Sequence, residues 1–332
     1  MFKPARRVVQ FLAVLLSAAA VFAADAKPYQ YFRTGSPDDV APKTSPGFSL
    51  MGGGKDLDEA FHFLCAKSGG GDFLVLRATG TDAYNPYVAG ICKQNSVATL
   101  IIPTREAALD PAVAAIIEKA EALFIAGGDQ ANYIKNWQNT PVQAALNQRI
   151  AGGVPIGGTS AGLAVLGQFA FSAINDSAYS PQTLADPFNP RVAIARDFLN
   201  IPLLRRTITD THYVKRDRQG RLLGFMARIV RDGLASEVRG LGVDERAAVL
   251  LEPDGHARVI GTGQAAYFYS PAGAPQVCEP GQPLTYRSVA VYKAPPGTAF
   301  DVTAWKGSGG TSYVLNVEKG VVQTTLPDSA IY

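Results

Sequence analysis

The chain has 332 residues, 47% of them hydrophobic and 18% charged, which is enough apolar material for a sizeable core and excludes wholesale disorder. The formal net charge of +3 is mild, and the basic residues are dispersed apart from one cluster at Arg216, Arg218 and Arg221, so no nucleic-acid partner is expected. No period of roughly 20–50 residues repeats along the chain, which argues against a solenoid or propeller.

Lys3, Arg6 and Arg7 precede a mostly apolar run from Val8 to Phe22, and small residues follow at Ala23, Ala24 and Ala26. This is the grammar of a secretory signal peptide, here residues 1–23, with cleavage expected after Ala23 or else after Ala26. A run of about 15 residues falls short of the roughly 20 that span hydrocarbon, so no permanent membrane anchor is expected. The mature protein would then be secreted or periplasmic. Residues 24–46, rich in Pro, Ser, Thr and Asp without periodicity, read as an extended arm or an ordered loop rather than core.

From residue 47 onward apolar strands alternate with amphipathic helices. Phe48–Met51 reads as a strand ending in Gly52-Gly53-Gly54, Asp56–Lys67 as a helix, and Phe73–Leu76 as a strand. The alternation continues with a strand at Ala98–Ile102, a helix at Arg105–Ala120 and a strand at Ala122–Ala126. A helix at Asn132–Ile150 and a strand at Val154–Ile156 follow. Such alternation predicts an α/β fold: a flavodoxin-like, doubly wound, mostly parallel sheet with helices on both faces. Ligands in these sheets gather at the carboxyl ends of the strands.

Past Glu245 the pattern turns strand-like, at Ala247–Leu251, Ala257–Ile260, Gln264–Tyr269, Val289–Tyr292 and Tyr313–Val317, with Pro253-Asp254-Gly255 as a turn. This β-rich C-terminal part, about 250–332, is either an added layer on the same sheet or a small separate unit. No linker-like stretch precedes it, so 47–332 is read as one domain. Cys65, Cys92 and Cys278 permit at most one intramolecular disulfide, either Cys92 to Cys278 or Cys65 to Cys92, although Cys65 also suits a buried thiol.

The most informative motif is Gly157-Gly158-Thr159-Ser160-Ala161-Gly162, between a strand and a helical run. It fits a Gly-x-Ser-x-Gly elbow, whose glycines allow a tight turn that exposes the serine as a nucleophile. The same turn would aim the Ala161 N–H at a developing oxyanion. The plainer reading is an N-cap serine. A second loop, Gly127-Gly128-Asp129-Gln130, could add the Gly128 N–H to the oxyanion hole and the Gln130 amide to substrate, or could be an ordinary turn capped by Asp129.

Three histidines are available as a base. His62 lies in a helix and His256 in an exposed turn, whereas His212, in Asp210-Thr211-His212-Tyr213, is followed closely by the arginine cluster. That grouping joins a potential base to guanidinium forks suited to carboxylates. The spacing of His, Cys, Asp and Glu contains no metal motif, and no cofactor is implied.

Together with Gly242-Val243-Asp244-Glu245, these motifs occur in the order and approximate spacing of the cyanophycinases and their peptidase family S51 relatives, which the chain resembles over roughly residues 48–251. The resemblance implies a sheet like that of the class I glutamine amidotransferases, with Ser160 as nucleophile, His212 as base and Glu245 as third member. It also implies a homodimer, and substrate-binding roles for Gln130, Asp210, Arg216, Arg218 and Arg221. The implied substrate is cyanophycin, a polyaspartate backbone with arginine on each side-chain carboxyl, cut to β-Asp-Arg dipeptides. Related alternatives are an exopeptidase for aspartyl or isoaspartyl peptides and a catalytically silent binding protein. Thr211 departs from the glutamine common in the family at this position, and extra residues lie around Asp232–Arg239.

Overall fold

The computed structural model describes residue 2 and residues 27–262 and 265–332, so the expected signal peptide and its cleavage sites fall outside the described residues. The first half of the chain alternates as expected: β1 (Gln30–Gly35), β2 (Phe48–Met51), α1 (Asp58–Lys67), β3 (Asp72–Arg77), α2 (Tyr84–Ile91) and β4 (Ser96–Ile101). Then come α3 (Arg105–Leu109), α4 (Pro111–Ile117), β5 (Ala122–Ile125), α5 (Gln130–Trp137), α6 (Pro141–Ala151) and β6 (Ile156–Thr159).

Two expected long helices are each divided in two, and proline is the reason both times. Pro111 and Pro141 lack the N–H that would continue a helix, yet suit the first turn of a new one. Asp110 caps the second piece of the first pair by accepting the Ala112 N–H at 2.8 Å. Within residues 24–46, β1 pairs antiparallel with β4 from Gln30 opposite Ile101 to Gly35 opposite Ser96.

The second half contains α7 (Ala161–Ala164), β7 (Phe169–Phe171), α8 (Ser180–Ala185), β8 (Ile194–Arg196), β9 (Thr207–Asp210), α9 (Gln219–Arg231) and β10 (Arg239–Val243). Eight more strands follow: β11 (Ala247–Leu251), β12 (His256–Gly261), β13 (Ala266–Pro271), β14 (Tyr286–Ala294), β15 (Ala299–Asp301), β16 (Lys306–Ser308), β17 (Thr311–Glu318) and β18 (Val321–Thr324).

Among the described residues the strands form two sheets. The first has the order β1-β4-β3-β5-β6-β2-β11-β12-β15-β16, and its five central strands, β4 to β2, run parallel. The second has the order β18-β17-β14-β13-β10-β9-β7-β8, with β10, β9 and β7 parallel. The β-rich part is therefore neither one added layer nor a separate unit. Its strands divide between the two sheets, β11, β12, β15 and β16 joining the first and the others the second.

Side-chain alternation explains the layering, since successive residues of a strand face opposite ways. Phe73 and Val75 of β3 meet Phe61 and Leu64 of α1 on one face of the first sheet. Leu74 and Leu76 face the other way, into a core shared with Val113 of α4, Trp137 of α5, Leu146 of α6 and, from the second sheet, Leu241 and Phe268. The far face of the second sheet is closed by Leu222, Phe225 and Met226 of α9. Each such fully buried side chain contributes about 1.5–3 kcal/mol, so both sheets are bound into one molecule through their common layer.

Cys65 at the end of α1 is disulfide-bonded to Cys92, just past α2, with Cα atoms 6.2 Å apart. Cys278 is a buried free thiol, and burial pushes its pKa up to about 12.

Candidate active site

Four strand ends converge, all on the carboxyl side of parallel strands from the two sheets. β6 runs directly into Ser160, β2 into Gly52-Gly53-Gly54, β9 into Thr211-His212 and β10 into Asp244-Glu245. β2 lies beside β6 with Met51 opposite Thr159, and β9 lies beside β10 with Asp210 opposite Gly242.

Ser160 occupies a strained turn, with φ 52° and ψ −118°, between the strand and α7. Its N–H donates to Met51 O at 3.1 Å and its carbonyl accepts from the Ala164 N–H at 3.0 Å. The turn requires small neighbours. A Cβ on Gly162 would lie 1.9 Å from Ile125 O, and one on Gly158 would lie 2.6 Å from the Gly162 carbonyl carbon. Glycine at these two positions is thus a steric demand of strand and helix packing, as the elbow pattern anticipates.

Ser160 Oγ lies 2.7 Å from His212 Nε2, and His212 Nδ1 lies 2.7 Å from Glu245 Oε1. A carboxylate only accepts, so the neutral ring that satisfies both contacts carries its proton on Nδ1 and accepts the serine hydroxyl at Nε2. Burial lowers the His212 pKa, the hydrogen bond to Glu245 opposes that, and the charges of Arg216 and Arg218 lower it further. The same hydrogen bond to His212 holds the Glu245 carboxyl below its ordinary range. A buried, neutral imidazole flanked by an ionised carboxylate is suited to remove a proton from a hydroxyl.

The loop Gly127-Gly128 lies against the serine, since a Cβ on Gly127 would sit 3.5 Å from Ser160 Cβ. Ala161 opens α7, and the first N–H groups of a helix have no intrahelical acceptor. Gly128 is exposed and Ala161 buried.

The residues expected to bind substrate divide sharply. Arg216 is exposed, and Gln130 is half-buried with its amide 3.4 Å from Phe171 O. Arg218 is largely covered and donates Nη1 to Thr211 O at 2.9 Å, and burial brings its pKa down to about 10 against the opposing influence of Asp210.

Asp210 and Arg221 differ from the expectation. Both are 2% exposed, Arg221 Nε donates to Asp210 Oδ2 at 2.8 Å, and Nη2 donates to Asp210 Oδ1 at 2.5 Å. Arg221 Nη1 goes to Ala178 O at 3.1 Å, and the guanidinium lies over the rings of Phe171 and Phe225. Burial alone would raise the Asp210 pKa, but the charge and hydrogen bonds of Arg221, the charge of Arg218 and the Thr211 N–H together outweigh it and keep the carboxyl ionised. The pair neutralises itself beneath the loop that carries His212, and presents neither a free carboxylate nor a free guanidinium to a ligand.

The stretch Gly52-Gly53-Gly54, in sequence simply the end of a strand, also lines the site. Gly52 O accepts the His212 N–H at 2.8 Å, and Gly53 O accepts the Arg246 N–H at 2.9 Å. Gly53 has φ 105°, and a Cβ there would lie 2.6 Å from His212 Nε2. Three successive glycines directly after a parallel strand were the available signal. Among the described residues no group of three or more His, Cys, Asp or Glu side chains is placed to hold a metal, and no helix is long and apolar enough to cross a membrane.

The chain is similar to known proteins. The cyanophycinase of Trichormus variabilis is 28% identical over 209 residues, covering 61% of this chain and 64% of that protein. The cyanophycinase of Geminocystis herdmanii is 30% identical over 148 residues, covering 44% of this chain and 48% of that one. The chain thus spans just under two thirds of the length of the first of these relatives and about half of the second. Among solved structures, a peptidase from an acI-B1 Actinobacterium superposes with a TM-score of 0.48 at 16% identity, over 68% of this chain and 91% of that one. The family model of peptidase family S51 matches residues 77–258, more than half of the chain. The chain belongs to peptidase family S51.

Proposed function

We propose that the protein is an exported serine exopeptidase that hydrolyses cyanophycin to β-Asp-Arg dipeptides through an acyl-enzyme. The observation that carries the reading is the continuous hydrogen-bonded series from Ser160 Oγ through His212 to Glu245, with both links at 2.7 Å. Ser160 Oγ attacks the scissile carbonyl carbon as its proton passes to His212 Nε2. Glu245 stabilises the imidazolium, and the N–H groups of Gly128 and Ala161 receive the oxyanion. His212 then protonates the leaving amine, and water, deprotonated by the same imidazole, releases the acyl group from Ser160.

Arg216 and Arg218 supply the positive charge for a substrate carboxylate, and Gln130 supplies a neutral amide. Export is supported by the basic and apolar start of the chain and by the Cys65–Cys92 disulfide, which suits an oxidising compartment. The relatives named cyanophycinase support the polymer as substrate.

Purified protein incubated with insoluble cyanophycin should release β-Asp-Arg, identified by mass, and Ser160→Ala should reduce the rate by about four to six orders of magnitude. Equal release by both proteins would remove Ser160 from the reaction. A second reading, an exopeptidase for aspartyl or isoaspartyl peptides, is favoured by the mutual burial of Asp210 and Arg221, which leaves fewer charged groups for a highly charged polymer. Turnover of an isoaspartyl dipeptide with cyanophycin left intact would select it.

A further inference from the structure

Asp244 is a buried carboxylate for which the proposed reaction has no task. It is 2% exposed and lies between the end of β10 and Glu245. Its Oδ1 accepts the backbone N–H groups of Val214 and Lys215, each at 3.0 Å. Those two groups open the tight turn that follows His212, in which Arg216 N–H donates to His212 O, Asp217 N–H to Val214 O and Arg218 N–H to Tyr213 O. The opening N–H groups of a helical turn have no acceptor within it, so a carboxylate supplied by another strand caps the turn.

We propose that Asp244 is a positioning residue: it caps the turn after His212 while joined by one peptide bond to Glu245, and so sets the separation at which imidazole and carboxylate meet. The inference rests on reading Ser160, His212 and Glu245 as a hydrolytic triad, and not on the identity of the substrate. His212 has φ 46°, a positive value that is uncommon for any residue but glycine. Its own N–H is tied to Gly52 O, which fixes the ring's entry from one side. The two bonds to Asp244 fix the chain on the other side, two and three residues further on. Close packing leaves this junction little slack, since a Cβ on Gly52 would lie 2.0 Å from Asp244 O.

The test is the rate at which the full chain is labelled by an alkyl fluorophosphonate across pH. The Ser160 Oγ–P bond forms, the P–F bond breaks, fluoride leaves, and the serine proton goes to His212, so the rate reports activation of the serine without any peptide. Asp244→Ala should slow labelling about 100-fold and move its acid limb to lower pH, because a loosened Glu245 contact no longer favours the protonated ring. Asp244→Asn retains an oxygen acceptor and should restore labelling to within about five-fold of the parent. An Asp244→Ala protein that melts as a folded chain and labels like the parent, with its limb unmoved, overturns the proposal. So does an Asn variant as slow as the Ala variant.

Should the Ala variant fail to fold, Asp244→Glu, which moves the carboxylate out by one methylene, decides the matter. Parent-like labelling overturns the role, and slowed labelling with a cooperative melt supports it. A parent that is not labelled at Ser160 overturns the triad and this inference together. A labelled parent that leaves cyanophycin uncut sinks only the substrate reading.

Discussion

His212 experiences opposing influences, and their balance makes a prediction. Burial and the cations Arg216 and Arg218 disfavour its protonated form, while the bond to Glu245 favours it, with the net effect downward. The neutral base is the competent form, so activity should be lost as pH falls through a value below the ordinary histidine range of about 6.5. Replacing Arg216 by Gln removes a positive charge that repels the imidazolium, so the acid limb of kcat/KM should move upward. Arg216 is exposed, and the displacement should shrink as salt is added. A limb that moves downward, or that ignores both the substitution and salt, would contradict this electrostatic account.

Among elements, the glycine loop after β2 carries a requirement that its composition states only in part. Gly53→Ala would place a methyl group 2.6 Å from the His212 ring and force a left-handed backbone on alanine. A ring displaced by about 1 Å is expected to lower the rate of serine labelling about 100-fold. Gly233 offers the comparison, because it too has positive φ, at 69°, but a Cβ there meets nothing within 4 Å. Gly233→Ala should reduce stability by about 1 kcal/mol, read from denaturant melts, with labelling unchanged. Equal labelling by the two variants would remove the close approach to His212 as the reason for glycine at position 53. The broken helices belong to the same scale: the period of apolar residues runs through Pro111 and Pro141, but the missing N–H at each proline divides the helix.

For the whole molecule, the disulfide joins α1 to the chain just past α2 on one face of the first sheet, across 27 residues. In the chain-entropy account, closing a loop of that length stabilises the fold by about 3.5 kcal/mol. Replacing Cys65 and Cys92 together by Ala should lower the thermal midpoint by roughly 5–10 °C, with rates unchanged at 25 °C. An unaltered midpoint would show the crosslink to be energetically idle. Neither cysteine takes part in the hydrogen-bonded series at the active site, which belongs to the opposite ends of other strands.

Much of this scale was legible in the chain. The strands Phe48–Met51 and Ala247–Leu251 stand where apolar runs place them, because a strand buried on both faces reads as a short, nearly unbroken apolar run, interrupted here only by Ser49. The elbow around Ser160 was equally legible, since strand, glycine, serine and glycine are all local. Partition of the β-rich part between two sheets was not legible, because β12 and β13 each read simply as a short strand and only their partners, β11 and β10, assign them to a sheet. Nor was the burial of Asp210 with Arg221: eleven positions apart, an acid and a base read as two groups open to ligand until α9 folds back over the end of β9.

Sequence alone determined the kind of fold, the nucleophile's turn and the candidate base, all of which depend on periodicity and on neighbours within a few residues, whereas Glu245 as the acid came only from the resemblance to a family. Tertiary structure decided which charges stay exposed and which neutralise each other. It also decided that Gly53 lies under the His212 ring and that Asp244 caps a turn thirty residues away. These outcomes rest on the lateral order of parallel strands, and that order is set by packing between distant segments, which no local stretch of chain encodes.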